Sequence, residues 1–102
     1  MCGIAGCIGV QDTKTIQKML DALPHRGPDD RGIHEFGNGV FGHTRLSIVD
    51  VAKGHQPIVS ENGRVGIICN GEIYNFRKIR TRLAPRYRFR TKSDSEVVLH
   101  LY

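Results

Sequence analysis

The sequence predicts an α+β domain in which antiparallel strands are covered by helices. Two Asn-Gly pairs, Asn38-Gly39 and Asn62-Gly63, each stand between apolar runs and signal β-hairpins. Two further segments, 13–23 and 76–83, carry apolar residues at helical spacing and supply the covering layers. The chain has 102 residues, 39% hydrophobic and 25% charged, which suits one small globular domain with a single core.

Each element has its own reason. Ile4, Ile8 and Val10 lie among Gly3, Gly6 and Gly9, a pattern that reads as a buried strand approached closely by another backbone and bearing Cys2 at its leading end. Asp12 or Thr13 caps a helix whose apolar stripe is Ile16, Met19, Leu20 and Leu23, with Pro24 as its stop. The loop His25-Arg26-Gly27-Pro28-Asp29-Asp30 leads to a strand over Ile33–Phe36, and Val40–Thr44 returns beside it. Pro57–Val59 and Val65–Cys69 form the second hairpin. Asn75 caps a helix with Phe76, Ile79 and Leu83 on one face before Pro85. In Tyr87–Thr91 arginines alternate with apolar residues at the period of a half-buried strand. Ser93-Asp94-Ser95-Glu96 has the form of a capping box, and Val97–Tyr102 reads as a helix barely begun, so the chain looks cut short.

Several function classes are excluded. No apolar run approaches the roughly 20 residues of a membrane span. The start lacks the basic and apolar regions of a signal peptide, so a cytoplasmic protein is expected. Cys2, Cys7 and Cys69 make an odd count without C-x-x-C spacing, and neither disulfides nor zinc are expected; Cys7 and Cys69 read as core residues. His25, His34, His43, His55 and His100 are scattered, so no metal site is expected. No glycine-rich nucleotide-phosphate motif is present. Net charge is +5, yet residues 77–92 hold eight of the fifteen basic residues and no acidic one, leaving seven basic against ten acidic elsewhere. That stretch has two readings: arginines facing water or an anionic partner, or, less favoured, a nucleic-acid patch.

The chemistry-bearing residues are few. With Met1 removed, Cys2 would open the chain as a nucleophile carrying its own base, because an α-amine with a pKa near 7.7 to 8.0 is partly neutral at pH 7. Asn70-Gly71, directly after an apolar strand, offers an amide side chain and an open backbone N–H to an oxyanion, or is a plain turn. Arg45 can fork onto a carboxylate, or stand as a surface cation. Glu72 and Asp94 can hold an ammonium, with a solvated turn and a helix cap as their local alternatives.

Six ordered segments, Met-Cys-Gly-Ile-Ala-Gly (1–6), His-Arg-Gly-Pro-Asp-Asp (25–30), Gly-His-Thr-Arg-Leu-Ser-Ile-Val-Asp (42–50), Gln-Pro (56–57), Asn-Gly-Glu-Ile-Tyr-Asn (70–75) and Ser-Asp-Ser-Glu (93–96), span almost the whole chain. Together they resemble class II glutamine amidotransferases, which are N-terminal-nucleophile hydrolases. The resemblance is closest to the glutaminase part of glutamine-hydrolysing asparagine synthetases. It implies an α-β-β-α arrangement, two antiparallel sheets between helical layers, of which this chain is the first part. It implies glutamine as substrate, Cys2 as nucleophile, and Asn70 with Gly71 as the oxyanion site. Arg45 would bind the α-carboxylate, and Glu72 with Asp94 the α-ammonium. It also implies that ammonia passes to a separate synthetase domain, where ATP and Mg activate aspartate; this segment itself needs no cofactor.

Overall fold

The computed structural model describes residues 1–47 and 54–102. Its elements are β1 (Gly3–Ile8), α1 (Thr13–Asp21), β2 (Asp30–Phe36), β3 (Gly39–Arg45), β4 (Ile58–Val59), β5 (Gly66–Ile67), α2 (Phe76–Leu83) and α3 (Glu96–Leu101). Ile48, Val49 and Asp50, the end of the 42–50 motif, lie outside the described residues. The strands form two antiparallel sheets, as the hairpin signals predict: one in the order β1-β3-β2, the other β4-β5. α1 packs on the first sheet and α3 on the second, with α2 against α3. Among the described residues, no helix is long and apolar enough to cross a membrane.

α1 starts where expected. The Asp12 carboxylate accepts the Thr15 N–H at 2.9 Å and the Thr15 hydroxyl at 2.6 Å. Hydrogen bonds from Thr15 favour the ionised form and hold Asp12 below the usual carboxylate pKa. Ile16 and Leu20 are buried against Val40, with Ala5, Cys7 and Ile33 around them. Met19, expected on the same stripe, is 44% exposed. At 100° per residue it sits roughly 80° from the line midway between Ile16 and Leu20, on the helix flank.

β1 corrects the expectation of a buried Ile4, Ile8 and Val10, which are 48%, 76% and 61% exposed. Side chains alternate along a strand, so turning Ala5 and Cys7 toward α1 sends Ile4 and Ile8 to the other face. Among the described residues β1 is also an edge strand, with β3 on one side only. There Ile8 lines an apolar cleft of about 370 Å³ with Phe36, Phe41, Ile67 and Leu99.

In the first hairpin β2 begins at Asp30, earlier than Ile33, and the pairing Phe36↔Gly39 makes Gly37-Asn38 the turn, one position before the Asn-Gly pair. The second hairpin pairs only Ile58↔Ile67 and Val59↔Gly66. Its loop is closed by the Ser60 N–H on the Val65 carbonyl at 2.8 Å, and Gly63 turns the chain at φ +69°, where a side chain would be strained. The expected strand Val65–Cys69 stops at Ile67 because the Cys69 N–H goes to the Gln56 side chain at 2.7 Å rather than to a ladder. Gln56 in turn sits hard against β2. A Cβ on Gly32 would lie 1.9 Å from the Gln56 carbonyl oxygen, so only glycine admits this approach.

Asn75 stands at the start of α2 without a side-chain cap bond, and Phe76, Ile79 and Leu83 lie half-buried. The strand expected over Tyr87–Thr91 is absent from both sheets. The segment is an extended loop pinned by its aromatics: Tyr87 stacks on His100 at 5.3 Å, Phe89 meets His100 edge-on at 4.6 Å, and the Arg80 guanidinium lies 4.3 Å over the Phe89 ring. Arg88 and Arg90 are exposed and Phe89 is half-buried, but Tyr87 is itself 44% exposed, so the expected alternation holds only around Phe89.

The capping box does not form either. Ser95, not Ser93, is the N-cap, so Glu96 is the first helical residue, two positions short of the place from which that motif reaches back to the N-cap N–H. Its fully buried carboxylate instead accepts the N–H groups of Arg90 at 2.8 Å and Thr91 at 2.7 Å and the Thr91 hydroxyl at 2.5 Å, and His100 Nε2 lies 3.3 Å away. Burial pushes the Glu96 pKa up, but the hydrogen bonds from Thr91, the Arg90 backbone and His100 outweigh it and hold the carboxyl below its usual value.

Two stability predictions follow from this packing. Leu20→Ala should cost about 3 kcal/mol, read as a lower urea midpoint at unchanged m-value; a shift too small to resolve would mean that α1 does not carry the core. A carboxyl with a depressed folded-state pKa contributes its full stability above the unfolded pKa of about 4.3 and loses it as pH falls through the folded value. Glu96→Gln should therefore destabilise at pH 7 by about 2 kcal/mol and converge with wild type as pH drops below about 4. Parallel pH curves would contradict the ionised network.

Candidate active site

Strand pairing builds the first part of the site. Gly3 pairs with Thr44, so Cys2 at the leading end of β1 meets the chain leaving β3 at Arg45 and Leu46. The Cys2 sulfur receives the Leu46 N–H at 3.4 Å and lies 3.8 Å from the Leu46 carbonyl oxygen. The Arg45 side chain is 5% exposed.

The 25–30 loop buttresses this corner rather than joining it. Arg26 Nε donates to the Cys2 carbonyl at 3.1 Å, and the Asp29 N–H donates to the Arg45 carbonyl at 2.9 Å. The Asp29 carboxylate accepts the Ser47 N–H at 2.7 Å, and Asp30 meets His55 Nδ1 at 2.5 Å. The motif read as a plain Gly/Pro/Asp loop therefore fixes the backbone that carries Cys2 and Arg45.

The second part comes from the chain after β5. Asn70, Gly71 and Glu72 are exposed, and among the described residues neither the Asn70 side chain nor the Gly71 N–H makes a hydrogen bond. The loop is tied at both ends. Before Asn70, the Cys69 N–H donates to Gln56 Oε1 at 2.7 Å and the Cys69 carbonyl accepts from His43 Nε2 at 3.1 Å. Beyond Glu72, the Ile73 N–H donates to Asp94 Oδ2 at 2.6 Å. Asp94 is 8% exposed at the approach to α3, and its other oxygen accepts the Ser95 N–H at 2.9 Å.

His43 is fully buried on the central strand. Burial lowers its pKa, and the Arg45 cation acts in the same direction, while the Cys69 carbonyl opposes them. The imidazole is therefore neutral at pH 7 with its proton on Nε2, since a carbonyl can only accept.

One cleft of about 380 Å³ is lined by Cys2, Arg45, Asn70, Gly71, Glu72 and Asp94, together with Met1, Leu46, Gln56, Cys69, Tyr74, Ser93 and Ser95. All six residues singled out from the sequence thus meet in one place. Cys69, read as a core residue, is half-buried and faces this cleft instead. Tyr74 and Ser95 were missed; both lie inside quoted motifs, which was their only signal. The cleft combines the thiols of Cys2 and Cys69, two open N–H donors, one guanidinium and two carboxylates, a set suited to a zwitterion that bears an electrophilic carbonyl.

A family model described as glutamine amidotransferase domain matches residues 1–102. Curated relatives include the asparagine synthetase [glutamine-hydrolyzing] of Triphysaria versicolor, 43% identical over 107 residues covering 100% of this chain and 18% of that protein. Asparagine synthetase [glutamine-hydrolyzing] 1 of Lotus japonicus is 41% identical with the same coverage. Asparagine synthetase [glutamine-hydrolyzing] 2 of Bacillus subtilis (strain 168) is 38% identical over 109 residues, 100% of this chain and 14% of that protein. The chain spans less than a fifth of the length of these three relatives. With a match along its whole length, this chain belongs to the glutamine amidotransferase domain family.

Proposed function

We propose that this chain is the glutamine-hydrolysing part of an asparagine synthetase, built as an N-terminal-nucleophile hydrolase. The observation that carries the reading is the single cleft lined by Cys2, Arg45, Asn70, Gly71, Glu72 and Asp94. Removal of Met1 frees the Cys2 amine, which takes the thiol proton directly or through a water. The sulfur attacks the side-chain carbonyl of glutamine. The Asn70 amide and the Gly71 N–H receive the oxyanion that forms, and because no group among the described residues occupies either donor, neither must break a bond to one of them to do so. The amine then hands its proton to the departing ammonia, and water releases glutamate from the thioester.

Arg45 holds the substrate carboxylate, and Glu72 with Asp94 its ammonium. Asp94 keeps lone pairs for this while accepting the Ile73 N–H. The released ammonia passes to a synthetase domain that uses ATP and Mg to amidate aspartate; the likeness to asparagine synthetases supports that acceptor.

In the full-length protein, Cys2→Ala should reduce glutamine-dependent amide synthesis to background while synthesis from added ammonium continues. Loss of both would refute the division of labour. Intact mass of the active protein should show Cys2 as the first residue, and activity with Met1 retained would remove the amine from the mechanism. Residues 1–102 alone should release ammonia from glutamine weakly or not at all, because Ile4, Ile8 and the apolar cleft that Ile8 borders stay uncovered and leave the sheet carrying Cys2 loosely packed. Turnover equal to that of the full-length protein would overturn this.

A further inference from the structure

We propose that His43 and Gln56 are positioning residues for the oxyanion-binding pair, acting on Asn70 and Gly71 through the peptide groups of Cys69. The inference rests on the glutaminase reading above and adds two residues that touch no reacting atom in it.

Asn70 and Gly71 sit on an exposed loop past the end of β5, with no ladder to fix their direction. What fixes it is the residue before them. The Cys69 N–H is held by Gln56 Oε1 at 2.7 Å, and the Cys69 carbonyl by His43 Nε2 at 3.1 Å. That carbonyl belongs to the same planar peptide as the Asn70 N–H, so the His43 bond sets the plane from which the Asn70 side chain projects. Both holders are rigid. His43 is 0% exposed in the central strand, and Gln56 is 6% exposed with its backbone pressed onto Gly32.

The cost of this arrangement points the same way. His43 Nδ1 is buried and, among the described residues, has no hydrogen-bond partner. A leucine would fill the space without an unsatisfied polar atom, so an imidazole here is explained by what Nε2 does. The Asp94 bond to the Ile73 N–H closes the far end, leaving the two donors on a short span clamped at both ends. Donors act on an oxyanion in proportion to how little they must move when charge develops. Releasing the Cys69 clamp therefore weakens the transition state while leaving Arg45 and Asp94, which lie outside the clamped span, in place on the substrate carboxylate and ammonium.

The test is glutamine hydrolysis by the full-length protein, read as ammonia release and normalised to the folded fraction from circular dichroism. His43→Leu and Gln56→Met should each lower kcat by on the order of tenfold to a hundredfold with KM for glutamine held within about twofold. His43→Gln, whose amide nitrogen reaches the place of Nε2 and donates to the same carbonyl, should recover most of kcat. Equal impairment of His43→Gln and His43→Leu, a rise in KM as large as the fall in kcat, or wild-type kcat in both His43→Leu and Gln56→Met would overturn the proposal. These failures are distinct from failure of the glutaminase reading, in which the wild-type protein releases no ammonia from glutamine or Cys2→Ala remains active.

Discussion

Pairing of Gly3 with Thr44 in the β1–β3 ladder brings the start of the chain against Arg45 and Leu46, and the cleft is built outward from that contact. A shift of the ladder by one residue would send Ala5 and Cys7 away from α1 and move Cys2 off the Leu46 N–H together. The core under α1 and the thiol corner are therefore two consequences of one register. The bonds from Arg26 to the Cys2 carbonyl and from Asp29 to the chain around Arg45 lock the same corner from outside the sheet.

The rest of the cleft depends on buried polar groups rather than on apolar packing. Gln56, His43, Asp94 and Glu96 are all nine-tenths or more buried, and each makes a hydrogen bond to the backbone of a loop. A buried polar atom with one good partner holds direction far better than a methyl contact, because the bond fails when the angle changes. This suits a site whose exposed donors sit on loops. The apolar side of the molecule is organised differently: Ile8, Phe36, Phe41 and Ile67 border an open cleft, and Ile4 and Val10 face water.

Much of this was legible in the residues. Asp12 caps α1, the two Asn-Gly pairs lie at or beside the two hairpin turns, and Asn75 starts α2, because each of these is decided by a few neighbours along the chain. Chemistry made the six site residues candidates with local alternatives, the resemblance implied their roles, and the structure brings them into one cleft. The misreadings share a cause. Which face of β1 is buried, whether Tyr87–Thr91 finds a ladder, and where the Glu96 carboxylate points all depend on groups far away in sequence.

By itself, then, the sequence determined the helices, the hairpin connections and the family, since propensity, turn chemistry and ordered motifs are local. Only the tertiary structure decided that the 25–30 loop braces Cys2, that Cys69 lines the cleft, and that His43 and Gln56 grip the chain ahead of Asn70. The physical reason is that a hydrogen bond between β3 and the loop after β5 depends on where two backbones are brought by sheet packing, and no spacing along one chain encodes that meeting.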